Sequence, residues 1–252
     1  MSNQTRAKVV CHMMVTLDGK INGEAYNCDN YEYFGKTYYD VEVRHFPASK
    51  VCIIGRKSNE GGIETVTDLP PLPEGTVISR EEDFIVPFEE PLEDGTHWNC
   101  IVDPRGVFAP KDRILKMDSF PYYDGDRIVS VVTQKQPSDV FLYYLQQKKI
   151  PYIFAGDEKL DCAVAVEKLS RYLNEKIIML HGGPTLNGSF LKDGVIDELS
   201  LLQVPIQSNN PADLPLFTSM KEDEILPPLQ LNLLACESLQ HSGLWLHYEV
   251  KK

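Results

Sequence analysis

Short apolar runs, each closed by turn-forming residues, constrain this chain more than any other feature. Residues 8–16, 51–55, 100–102, 127–133, 151–155 and 177–180 are such runs, and Val and Ile recur through them. A strand with one wet face alternates apolar and polar residues, whereas an unbroken run needs burial on both faces, as in parallel strands covered by helices. Helical spacing fills the intervals. Ser138 offers an N-cap before Val140, Phe141, Tyr144 and Leu145, and residues 159–174 place Leu160, Ala163, Val164, Leu169, Tyr172 and Leu173 on one face. A shorter helix over 186–192 stops at Gly194, a natural left-handed cap. A strand at 198–204 and two extended arms, 230–239 and 244–250, complete the pattern. The expectation is one α/β domain over residues 1–252, a mixed and mainly parallel sheet flanked by helices, with a C-terminal antiparallel hairpin.

Composition narrows the function. The chain has 252 residues, 42% of them hydrophobic, enough for a sizeable core without disulfide or metal staples. Its net charge of −12 repels phosphate backbones and anionic lipid, so nucleic acid and membranes are excluded as partners. Most of that charge is local: between Asn59 and Trp98 stand eleven acidic residues, one basic residue (Arg80) and five prolines. This stretch, about 59–98, reads as a surface insertion, a solvated loop with an edge hairpin near residues 75–88. The N-terminus MSNQTRAK lacks the apolar core of a secretory signal and no apolar run is long enough to span a membrane, which points to the cytoplasm. Six scattered cysteines read as buried, reduced thiols, and no Cys or His pair has metal-ligand spacing.

In α/β sheets, ligands lie beyond the carboxyl ends of parallel strands. The residues there are Asp18-Gly19-Lys20, Gly55-Arg56-Lys57-Ser58, Asp103-Pro104-Arg105, Thr133, Gly156 and His181-Gly182-Gly183-Pro184-Thr185. The last group sets two residues without side chains directly before a helix start, where backbone N–H groups and the helix dipole favour an anion. A ligand-free strand-to-helix turn is the plain alternative. Arg56 and Lys57 bring cations to another strand end of an acidic chain, which suits recruitment of a phosphate. No Walker loop, Gly-x-Gly-x-x-Gly after the first strand or Gly-x-Ser-x-Gly occurs.

The run LHGGPTLNGSFLKDGVIDEL, residues 180–199, closely resembles the signature of the riboflavin-biosynthesis reductases, a family similar in fold to dihydrofolate reductase. Met14-Val15-Thr16-Leu17-Asp18-Gly19-Lys20-Ile21, Ile54-Gly55-Arg56, Ile101-Val102-Asp103 and Ala155-Gly156 agree with it in order and spacing. The resemblance implies an NADPH-dependent reductase that opens the ribose of a ribosylaminopyrimidine phosphate to a ribityl chain by hydride transfer, working as a homodimer. It implies that Gly182, Gly183, Pro184 and Thr185 hold the cofactor near its diphosphate and nicotinamide. It also implies that Gly55, Arg56, Ser58, Asp103, Arg105, Thr133 and Gly156 lie along its length, with Arg56 or Arg105 meeting the 2′-phosphate. Lys20 matches a lysine near the substrate, and Asp18 either shares that role or caps its own turn.

Two departures bear on the substrate. The family usually carries Glu before the Gly-Gly pair, where this chain has His181, an imidazole able to deliver a proton near neutral pH. After the second strand, the usual Thr and Asp-x-Pro-x-Leu pocket is replaced by the acidic insertion. Reduction of another pteridine-like or imine substrate, and a non-catalytic NADPH-binding relative, therefore stand as alternatives.

Overall fold

The computed structural model describes residues 6–60, 62–117, 121–221 and 224–252. They form nine strands and five α-helices in a mixed α/β fold with mostly parallel strands. Backbone contacts group the chain into two compact units, one built on Lys50–Glu175 and the other on Ala7–Ser49 with Lys176–Lys252.

In the second unit, β1 (Lys8–Val15) lies between β6 (Ile177–Gly182) and β7 (Glu198–Gln203), parallel to both. The C-terminal arms are β8 (Leu231–Ser238) and β9 (Leu244–Val250), paired antiparallel, with β9 antiparallel to β7. Seven of the eight β1 residues are buried, as its unbroken apolar run requires. The helix α1 (Tyr31–His45) covers one face, with Phe34 packed among Met14, Leu202 and Val204. No sequence signal marks this helix. It carries four tyrosines and a mid-helix glycine, and Asn30 makes no side-chain cap, so it forms because the sheet buries Phe34, Thr37 and Val41. The short helix α5 (Pro184–Lys192) begins two residues earlier than its spacing suggests, with Pro184 in the first turn, where a missing N–H costs nothing.

In the first unit, β2 (Val51–Gly55), β3 (Trp98–Val102), β4 (Arg127–Val132) and β5 (Tyr152–Phe154) run parallel in that order, with β5 at an edge. A single turn, α2 (Arg56–Asn59), follows β2. Ser138 caps α3 (Asp139–Gln147) by accepting the Phe141 N–H at 3.1 Å, and Asp161 caps α4 (Cys162–Leu173) by accepting that of Val164 at 2.9 Å.

The acidic insertion differs from its expectation. It contains no hairpin at 75–88 among the described residues, and it is not a free solvated loop. Phe84 exchanges both backbone hydrogen bonds with Tyr152 at 3.0 Å, capping the open edge of β5. Asp83 accepts from the Phe154 N–H and from Lys168 Nζ, each at 2.8 Å, and Arg80 donates to the carbonyls of Gln134 and Pro137 at 2.7 Å. Ile78 is buried, and Ile63, Val66, Leu69, Leu72 and Phe84 pack against the core beside it. Apolar residues thinly spread among carboxylates fasten the strap, while Glu81, Glu82, Glu89, Glu90, Glu93 and Asp94 face solvent. The thiols depart from the expectation of burial at two positions: all six are free, but Cys28 is only half-buried and Cys236 on β8 is exposed.

Candidate functional site

Each unit carries its own set of strand-end residues. In the second, β6 ends at Gly182 and α5 starts after Gly183, with φ of +71° and +65° at the two glycines. Both values lie in the left-handed region that L side chains resist. A Cβ on Gly182 would also lie 2.6 Å from Asn187 Oδ1 and 2.8 Å from Nδ2. Asn187 is fully buried, donates from Nδ2 to the Leu216 carbonyl at 3.0 Å, and leaves Oδ1 buried without a hydrogen-bond partner. Strand end, glycine pair and Pro184-Thr185 thus bring bare backbone to the N-terminus of α5, where the first-turn N–H groups have no partner inside the helix. These features fit the anionic bridge of a dinucleotide. The orphaned Asn187 oxygen supplies an acceptor for an N–H or O–H of a bound group.

The three residues singled out for catalysis have partners in different directions. Asp18 accepts from the Thr16 hydroxyl at 2.6 Å and from the Ser208 and Asn209 N–H groups at 3.1 and 3.3 Å, and these bonds hold its carboxyl below the usual range. It organises the turn after β1. Lys20 donates from Nζ to the Asp213 carbonyl at 2.8 Å, and its N–H donates to Thr16 Oγ1 at 2.9 Å. Both residues therefore bind the 208–213 loop. His181 instead points toward α1, where its Nε2 lies 2.8 Å from Glu42 Oε2. The pair is deeply buried, with 4% of the imidazole and 10% of the carboxylate side chain exposed.

Around it, His12 stacks on Tyr38 at 4.0 Å between centroids. His12 Nδ1 meets Ser200 Oγ at 2.9 Å and its Nε2 meets the Tyr38 carbonyl at 2.9 Å. Trp245 Nε1 donates to the same Ser200 oxygen at 2.9 Å. Sequence reasoning missed Glu42, Tyr38 and His12. No local signal could have found them, because Glu42 and Tyr38 lie on α1, which the sequence does not mark, and their inward orientation is set by packing on the sheet.

In the first unit, Asp103 closes the turn after β3. Its Oδ2 accepts the N–H groups of Val107 and Phe108 at 2.6 and 2.7 Å. Burial raises its proton affinity, opposed by those two bonds and by Arg56 and Arg105. Arg56 Nε stands 3.5 Å from Asp103 Oδ1, and the guanidinium also bonds Glu60. Thr133 donates its hydroxyl to the Pro104 carbonyl at 2.7 Å, joining the ends of β3 and β4. Gly156 follows β5 with φ of +93°, and a Cβ there would lie 2.0 Å from the Lys159 carbonyl oxygen. Ser58 and Arg105 are exposed at the strand ends, and Gly55 is the residue from which α2 springs.

The model of the RibD C-terminal domain matches residues 104–238. Among solved structures, a pyrimidine reductase-like protein of Corynebacterium diphtheriae aligns with 98% of this chain and 92% of its own, at 16% identity and a TM-score of 0.63. The riboflavin biosynthesis reductase Rib7 of Saccharomyces cerevisiae aligns over 100% and 93%, at 13% identity and a TM-score of 0.57. RibD of Acinetobacter baumannii aligns with 98% of this chain but 59% of its own, at 16% identity and a TM-score of 0.55, so the chain spans a little over half of that relative. A comparison with curated protein sequences finds no match. Parallel strands, the Gly-Gly entry to α5 and the antiparallel arms at the C-terminus define a riboflavin-reductase-like α/β fold. The chain belongs to the RibD C-terminal domain family.

Proposed function

We propose that this protein is an NADPH-dependent reductase of a ribosylaminopyrimidine phosphate, acting in riboflavin biosynthesis, in the cytoplasm and as a homodimer. The Gly182–Gly183 turn carries the reading. Two consecutive left-handed glycines at the mouth of a helix, one of them pressed against a buried amide, form a backbone surface suited to an anion. In a RibD C-terminal domain the fitting anion is the diphosphate of a nicotinamide dinucleotide.

Gly182, Gly183, Pro184 and Thr185 are the proposed diphosphate contacts. Gly55, Arg56, Ser58, Asp103, Arg105, Thr133 and Gly156 are the proposed contacts on the adenosine side. Arg56 is flanked by two carboxylates, so the exposed Arg105 is the better cation for a 2′-phosphate. When bound, the cofactor supplies the hydride. The chain's own contribution is to orient it on fixed backbone, to hold Lys20 on the 208–213 loop beside the Asp18 turn, and to fix the His181 imidazole against Glu42.

Titration of the purified protein with NADPH, followed by spectroscopic oxidation against a panel of ribosylaminopyrimidines and pteridines, tests the proposal. Saturable NADPH binding with turnover of a ribosylaminopyrimidine phosphate is the expected result. No binding removes the cofactor, turnover of pteridines alone redirects the substrate, and binding without turnover on the whole panel identifies a non-catalytic relative. Light scattering of the purified protein at one protomer mass would remove the homodimer.

A further inference from the structure

The second unit buries a carboxylate–imidazole pair directly behind the Gly182–Gly183 turn. Glu42 comes from α1 and His181 is the penultimate residue of β6, and 139 positions of sequence separate them. A buried ion pair contributes little stability over well-packed apolar residues of similar volume, so packing alone does not account for it. The groups facing the pair are neutral near physiological pH. His12 from β1, its ring 6.0 Å from that of His181, is brought by burial down to about 4. Tyr38 from α1, 5.7 Å from the same ring, is held well above the usual phenol range by burial, with Glu42, Tyr39, Cys11 and Tyr26 adding to the effect. Beyond His12, Ser200 of β7 bonds both His12 and Trp245 of β9, and Trp245 stacks at 3.8 Å between centroids on His45 of α1, an imidazole whose proton affinity burial lowers.

We propose that Glu42 is a positioning residue, holding His181 oriented and protonated so that the pair stores the proton the reduction consumes. The proposal rests on the reductase reading. Reducing a ribosylamine forms a C–H bond from hydride, breaks the ring C–O bond and places one proton on the released oxygen, while the nicotinamide is oxidised. His181 gives up that proton, stays hydrogen-bonded to Glu42 as neutral imidazole, and is recharged from solvent. Glu42 thereby supplies, from a helix distant in sequence, an acidic group next to a strand-end position that carries no acid of its own.

The test combines hydride-transfer pH profiles with histidine NMR for wild type, Glu42→Gln and Glu42→Asp. Removing the carboxylate weakens proton retention on the imidazole, so the alkaline limb of the Glu42→Gln profile should move toward lower pH by roughly one unit or more. The His181 resonance in the cofactor-free protein should move its titration in the same direction. Glu42→Asp, which keeps the charge on a shorter arm, should recover much of the shift, and it carries the test alone if Glu42→Gln fails to fold, with a lowered hydride rate at unchanged NADPH affinity. Hydride transfer with an unmoved limb and an unmoved His181 titration in Glu42→Gln, or, should that variant not fold, a Glu42→Asp variant identical to wild type in both limb and rate, would overturn this proposal and leave the reductase reading intact. Failure of the wild type to bind NADPH would sink both.

Discussion

Replacing Gly182 by alanine separates backbone strain from steric conflict at the strand-to-helix turn. Alanine at φ of +71° carries a left-handed penalty of roughly 1–2 kcal/mol. The new methyl carbon also meets Asn187 at 2.6–2.8 Å, and that residue has nowhere to go. It is fully buried, and its Nδ2 is committed to the Leu216 carbonyl. Pushing it aside breaks that bond and leaves the buried Asn187 amide unpaired, at about 1–3 kcal/mol. The total is about 2–5 kcal/mol, and for a chain of this size each kcal/mol lowers Tm by roughly 2–4 °C. Gly194→Ala is the matched reference, since Gly194 sits at φ of +64° with nothing within 4 Å of where its methyl carbon would lie, and it should show the strain alone. Urea unfolding of both variants, with NADPH titration of each, measures the difference. Gly182→Ala should be the less stable by about 1–3 kcal/mol and should bind NADPH more weakly. Equal destabilisation of the two variants would refute the steric argument, and unchanged NADPH affinity would detach this turn from the cofactor.

The other predictions concern the polar core, the strap and cofactor choice. His12 binds a proton in the unfolded chain at the ordinary imidazole value but in the folded protein only near 4. Its contribution to stability is therefore full above about pH 6.5, is lost as pH falls toward 4, and amounts to roughly 3 kcal/mol. Acid unfolding of His12→Asn against wild type should show a shallower fall across that window, and parallel curves would contradict the assignment. Asp83→Ala removes the acceptor of the Phe154 N–H and Lys168, so residues 73–92 should become the first site of limited proteolysis, with about 1–3 kcal/mol lost. An unchanged cleavage pattern would show that apolar contacts alone hold the strap. Arg105→Ala should lower affinity for NADPH relative to NADH by about tenfold, a loss of roughly 1.4 kcal/mol, with Arg56→Ala having the smaller effect. The reverse ranking, measured by titration with each cofactor, would reassign the 2′-phosphate contact.

Strands that are buried on both faces are legible in the sequence because their apolar runs are continuous and their turns carry Gly, Pro or Asp. Ser138 and the C-terminal arms are legible for equally local reasons. The strap is not, because its anchors, Ile78, Phe84 and Asp83, are isolated residues in an acidic stretch, and the partners Tyr152, Phe154 and Lys168 lie about 70 or more positions away. The helix α1 is invisible at that level because it draws its stability from the sheet and not from its own propensities.

Short-range chemistry thus determined a good deal from sequence alone: an α/β pattern, glycines that only a left-handed turn requires, and cations gathered where parallel strands end. Only the tertiary structure decided which of those groups are already engaged. Asp18 is taken by the 208–213 loop, Arg56 by Asp103 and Glu60, and His181 by a carboxylate from a helix the sequence did not announce. The physical reason is that a side chain's partner is set by the packing of elements distant in the chain, and burial, which sets both charge state and pairing strength, is a property of that packing.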